Sequence, residues 1–169
     1  MKHFKTLLLI TVFTLGLGGV ANAQKFGHIE TDKLIAGMPA TKAMQVELEK
    51  MQKTYKDEIT AMAKKYEEKL KKYGAEEKAQ TPETNAKRQA EVQQDRSRLA
   101  QAEQFATQEM QKKYQEKLKP ILEKAQKAIK DVADAKGLAY IFDASAGKGL
   151  IVFDKGVDIY DAVKAKLGF

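Results

Sequence analysis

The sequence predicts an α+β chain, mostly α, in which a long antiparallel helical hairpin arm is inserted into a small β body. Three observations predict it. Residues 41–136 are charged, poor in glycine and apolar at a steady helical beat. That stretch is interrupted at residues 74–83 by a glycine and then by a Thr-Pro-Glu helix start. Strand-like segments flank it on both sides, at residues 26–30 and 138–154.

Ahead of all this, residues 1–23 read as a secretory signal. Lys2 and Lys5 give a positive start, residues 7–20 an apolar run, and Ala21, Asn22 and Ala23 a small-residue cleavage site before Gln24. The run is short for a membrane span and contains Gly16, Gly18 and Gly19, so cleavage is expected rather than anchoring. The chain has no cysteine, which excludes a disulfide framework and a lipid-modified N-terminal cysteine. With no second apolar segment of spanning length, the expected product is soluble, exported and periplasmic. Formal charge is +7, and loss of Lys2 and Lys5 lowers it to +5. Residues 64–98 carry ten Lys/Arg against seven Asp/Glu. That basic bias fits a solvated helix surface, or attraction to acidic partners such as anionic lipid head groups or acidic polypeptides.

The body is expected from residues 24–39 together with 137–169. Residues 26–30 form a short strand with Phe26 and Ile29 as its buried candidates. Thr31 or Asp32 can cap a brief helix over 32–36 that Gly37 ends. Met38 is pushed toward extended geometry by Pro39, which suits the first turn of the next helix.

The arm spans residues 40–136. In its first half the apolar positions are Leu48, Met51, Tyr55, Ile59, Met62, Tyr66, Leu70 and Tyr73, stepping 3, 4, 4, 3, 4, 4, 3. Leu99, Met110, Tyr114, Leu118, Ile121, Ala125, Ile129 and Val132 continue the beat in the second half. An eleven-residue repeat is 3.67 residues per turn, which favours straight packing over a left-handed supercoil. The chain turns back at a tip near residues 74–85, where Thr81 caps and Pro82 starts the return helix. The stripe is narrow, so the outer arm should be mobile and the tip should fray. Pro120 lies inside the return helix, where a kink or hinge is expected, and apolar density rises after it as the arm enters the body. Gly137 ends the helix. Residues 138–144 and 150–154 then read as a hairpin of strands around a turn at 145–149, and Asp158 caps a last helix. Its apolar face is Ile159, Tyr160, Val163 and Leu167. Three short strands make a poor sheet, so several chains are expected to share one core.

Chemistry is sparse. Beyond the signal the chain has one histidine, His28, and no cysteine or tryptophan, so neither a catalytic residue nor a metal or cofactor site is predicted. Gly147-Lys148-Gly149 lacks the full phosphate-loop pattern and is read as a β-turn. No nucleic-acid module is present, because the aromatics fall on the helix stripe. The candidate functional residues are Met51, Tyr55, Met62, Tyr66 and Tyr73. Met is pliable and Tyr tolerates water, so this set either glues the hairpin seam or offers an adaptable surface to a client.

The order of elements resembles the Skp/OmpH family of periplasmic chaperones. The residues that carry the likeness are Phe26-Gly27-His28-Ile29-Glu30, Met38-Pro39, the charged hairpin, the strand pair at 138–143 and 150–153, and Asp158-Ile159-Tyr160-Asp161-Ala162-Val163. The family's opening Ile-Gly-x-Val-Asp is conservatively altered here, and Tyr160 replaces the threonine of its closing Asp-Ile-Thr. The resemblance implies a homotrimer in which a β body joins three arms around a cavity that holds unfolded outer-membrane proteins. It implies no ATP and no catalytic residues, and lipopolysaccharide contact is proposed for some members. The competing expectation is a structural envelope coiled coil that binds cell-wall or anionic lipid surfaces.

Overall fold

The computed structural model describes residues 25–148, 151 and 155–169. The signal segment and most of the expected strand at 150–154, with Gly149, lie outside the described residues. In chain order the elements are β1 (Phe26–Ile29), α1 (Thr31–Gly37), α2 (Pro39–Glu76), a 3-10 turn (Glu77–Ala79), α3 (Pro82–Lys136), β2 (Tyr140–Asp143), β3 (Val157–Asp158) and α4 (Tyr160–Leu167).

The arm forms as its periodicity requires. Met38 is extended at φ −62° and ψ 133°, and Pro39 opens α2. This helix runs 38 residues, through Gly74, so it is about 57 Å long. Thr81 is the N-cap of α3, its hydroxyl accepting from the Thr84 N–H at 3.2 Å, with Pro82 at the first helical position. α3 continues unbroken through Pro120 for 55 residues, about 80 Å, and ends on Gly137 at φ 63°. Only glycine adopts that left-handed conformation cheaply, and it lets the chain turn directly into β2.

The two helices run in a register fixed by side chains that mirror each other about residue 82. Glu76 meets Arg88, Tyr73 meets Glu91, Lys69 meets Asp95 and Glu47 meets Lys117, at offsets of 6, 9, 13 and 35 residues on either side. By this register the start of α2 lies level with residue 125. The last turns of α3 therefore run on past α2 into the body, where Asp131 reaches Lys166 of α4 at 3.5 Å.

The body is a parallel three-stranded sheet in the order β2-β1-β3, covered on one side by helices. Phe26 is level with Tyr140 and Ile29 with Asp143, so the two ends of the chain share neighbouring strands. The core lies beneath β1: Ile29, Leu34, Ile159 and Val163 are fully buried, against Ile121, Ala128, Val132 and Leu138. Each of the first four contributes about 1.5–3 kcal/mol by leaving water. Alanines at 125, 128 and 133 let the base of α3 approach its neighbours closely. Thr41 is buried with its hydroxyl bonded to the Ile35 carbonyl at 2.5 Å, tying α2 to α1. Buried residues of α3 resume at Ile121, directly after Pro120, as the apolar density predicts; beyond it in the arm only Ala106 is buried.

Three findings add to or change the expectations. β2 pairs in parallel with β1, more than a hundred residues away, and residues 157–158 form β3; the expected hairpin of 138–144 with 150–154 falls largely outside the described residues. Phe26 is exposed, whereas Gly27 takes the buried position on the core face of β1. Neither Thr31 nor Asp32 caps α1 from its own position; Glu30 is the N-cap residue and makes no side-chain cap. The missing partners come from β2, as described below.

Candidate functional site: the arm and the uncovered sheet face

Alternation along β1 and β2 sends Gly27, Ile29 and Ile141 toward the core and Phe26, Tyr140 and Phe142 the other way. Phe26 stacks on Tyr140 at 5.8 Å between ring centroids and lies 6.0 Å from Phe142. All three remain 42–55% exposed. An aromatic cluster of this kind on a sheet face normally finds cover. Among the described residues nothing shields it. Gly27 is required opposite: a Cβ there would come within 2.9 Å of Leu138 and Ile141 and 3.0 Å of the Val157 carbonyl.

The end of β2 supplies the cap that α1 lacks. Asp143 accepts from the Thr31 hydroxyl at 2.6 Å and from the Thr31 N–H at 3.3 Å. Ser145 is buried; its hydroxyl donates to Asp143 at 2.6 Å and accepts from the Asp32 N–H at 3.0 Å. Lys148 pairs with Asp143 and reaches Asp32 at 3.5 Å. Burial works against ionisation of Asp143, but the bonds from Lys148, Ser145 and Thr31 outweigh it and hold the carboxyl well below the usual range. This cluster fastens the loop after β2 to the body. Asp158 stands one residue ahead of Ile159, the N-cap of α4, which makes no side-chain cap; the Asp158 carboxylate accepts from the Tyr160 N–H at 2.8 Å.

On the arm, Met51, Tyr55, Met62, Tyr66 and Tyr73 are all half-buried along the seam between α2 and α3. Tyr55 meets Phe105 edge to face at 6.3 Å. Tyr73 donates to Glu91 at 2.5 Å, which pushes its phenol up, and Arg88 lies 4.5 Å over its ring. Two residues of the expected stripe leave the seam: Leu70 and Tyr114 are 41% and 43% exposed. Lysines take their places. Lys69 pairs with Asp95 and Lys117 with Glu47, each ammonium bonded while its stem covers the seam. The signal was available as opposite charges at equal distances from Pro82.

Shallow grooves flank the seam. A cavity of about 590 Å³ is lined by Tyr55, Ile59, Ala106 and Met110, with Gln52, Lys56, Thr60, Glu103 and Thr107 around it. Phe105 and Val46 stand exposed nearby in sequence, 56% and 66% accessible. Among the described residues no group of three or more His, Cys, Asp or Glu could hold a metal, and no helix is long and apolar enough to cross a membrane. What the arrangement offers is surface: a long, narrow, amphipathic arm and an open aromatic patch at its base.

Residues 25–167 match the family described as "Outer membrane protein (OmpH-like)". The chain belongs to this OmpH-like family. Among solved structures it is similar to a Caulobacter crescentus CB15 protein described as an OmpH-like outer membrane chaperone. The TM-score is 0.75 at 16% identity, over 85% of this chain and 83% of that one, so the two share the fold of long helices on a small β part. No curated protein matches.

Proposed function

We propose that this OmpH-like protein is an ATP-independent periplasmic holdase, exported by cleavage after Ala23, that binds unfolded outer-membrane proteins between the arms of a homotrimer. The observation that carries the reading is the aromatic face of Phe26, Tyr140 and Phe142, uncovered among the described residues, at the root of an arm whose outer part, residues 45–105, buries no residue. Covering that face with copies of itself sets several arms side by side around a common space. Half-buried Met and Tyr along the seam, with exposed Val46, Phe105 and Tyr114, then supply many weak contacts to a client. Weak contacts in a confined space act at high effective concentration, and binding the unfolded client alone suppresses its aggregation by mass action. Release needs no nucleotide where folding into a membrane is more favourable for the client.

The test is dilution of a urea-unfolded β-barrel into buffer with the mature chain, followed by light scattering and native mass measurement. The expected result is a trimer that keeps the barrel soluble at near-equal trimer stoichiometry. Serine at Phe26, Tyr140 and Phe142 together should lower the oligomeric state and the protection in parallel. Aggregation that proceeds unchanged beside the native protein refutes the function. The basic excess around the tip favours a second reading, an envelope protein that contacts anionic lipid, lipopolysaccharide or cell wall. Co-sedimentation with anionic vesicles or peptidoglycan, without protection of the barrel, would favour that one.

A further inference from the structure

The arm is held shut by different forces at its two ends. At the base, Met44, Ile121 and Ala125 are buried and Leu48 and Leu118 pack against them. From residue 62 to residue 102, around the tip, no residue is buried. Beside half-buried Met62, Tyr66, Val92 and Leu99, polar pairs cross between the helices there. Lys69 pairs with Asp95, Arg88 with Glu76 at 2.6 Å, and Tyr73 with Glu91 at 2.5 Å. The Asn85 side chain bonds the Glu77 carbonyl at 3.0 Å. Lys69, Asp95 and Arg88 occupy seam positions, with 32%, 24% and 18% of their side chains accessible, and Leu70 is displaced to the rim.

We propose that the distal arm, residues 62–102, is an electrostatic zipper that opens with rising ionic strength while the arm base and body stay closed. Half-accessible charges are screened as the Debye length falls from about 10 Å at 0.1 M salt to about 3 Å at 1 M. Each such pair, partly exposed, contributes little on its own, so the zipper depends on several acting together. Separated helices of this length are only marginally stable in water, so lost pairing appears as lost amide protection. The apolar base has no such dependence, because burial of apolar surface does not weaken in sodium chloride. The base also carries ion pairs, Glu47–Lys117, Lys127–Asp131 and Asp131–Lys166, but they lie beside a buried apolar core, so it serves as an internal control. The inference concerns the chain itself and stands whether or not the chaperone reading does.

The experiment is hydrogen exchange read by mass spectrometry on the mature chain at about 0.05 M and 1 M sodium chloride. Peptides within 62–102 should exchange about fivefold faster in high salt, the factor for losing about 1 kcal/mol. Peptides within 121–136 should change less than twofold. Lys69→Asp should raise distal exchange at low salt, and adding Asp95→Lys should restore both protection and its salt dependence. Replacing the pair by Lys69→Met with Asp95→Leu should abolish the salt dependence in neighbouring peptides. Distal exchange that is unchanged or slower in salt overturns the proposal. So does an equal acceleration in the base, or a charge-swapped pair that restores nothing.

Discussion

Asp143 is the side chain on which the loop after β2, the start of α1 and the end of the sheet converge, so its removal tests the body directly. Four bonds from Thr31 and Ser145 and a pairing with Lys148 end on one carboxylate. Its side chain is 22% accessible, so these bonds are only partly screened. Asp143→Ala strands the Thr31 and Ser145 hydroxyls and removes a partner of Lys148. Bonds to charged groups contribute about 1.5–3 kcal/mol where several act together, and the expected loss is of that order. The sign with pH follows from the depressed carboxyl. A group whose folded pKa is lowered contributes stability above its unfolded value, here near the ordinary 3.8, and loses it as pH falls through the folded value. Urea unfolding at fixed chain concentration should therefore show the native chain weakening below about pH 4 more steeply than Asp143→Asn, which keeps the shape and not the charge. An Asp143→Ala variant within about 0.5 kcal/mol of native at pH 7 would refute the reasoning. So would an Asp143→Asn acid limb that parallels the native one.

Two further outcomes test the remaining contacts. Gly27→Ala forces a methyl within 2.9 Å of Leu138 and Ile141 and 3.0 Å of a backbone carbonyl, so it should cost about 1–3 kcal/mol in urea unfolding; an unchanged midpoint means β1 does not approach Leu138 and its neighbouring strands as described. For Tyr55 and Phe105, alanine at each and at both should give a coupling of about 0.5–1.5 kcal/mol in a double-mutant cycle; additivity would place the rings apart.

The arm was legible because its signals are local. Period, cap and stop are written within a few residues of one another: Leu48 to Tyr73, Thr81-Pro82, Gly137. The stripe failed at Leu70 and Tyr114 because periodicity counts apolar residues and ignores the aliphatic stems of lysines. Lys69 and Lys117 can fill a seam and still place their ammonium groups on Asp95 and Glu47. Only a comparison of charges across the turn reveals that. The body was less legible. The pairing of β2 with β1 as parallel neighbours has no counterpart in the sequence reading, which has only the strand signals at 138–144 and 150–154. Parallel pairing leaves no turn signature to read, and β3 is two residues long. The cap of α1 was missed for the same reason: Asp143 and Ser145 stand more than 110 residues from the amides they satisfy.

The two kinds of signal meet in how the body closes. Bringing β1 to β2 through an unstructured chain of about 110 residues would cost about 4 kcal/mol in closure entropy, growing only with the logarithm of length. The hairpin removes that dependence. Once α2 and α3 zip in the register mirrored about residue 82, residue 39 already lies beside residue 125. β1 and β2 then need only the short α1 and the last turns of α3 to meet. Lengthening or shortening the arm by equal steps on both helices leaves that meeting point where it is. The body therefore constrains the residues near 29, 34, 121 and 163, where the core sits, and leaves arm length and arm chemistry free to be set by what the arms touch.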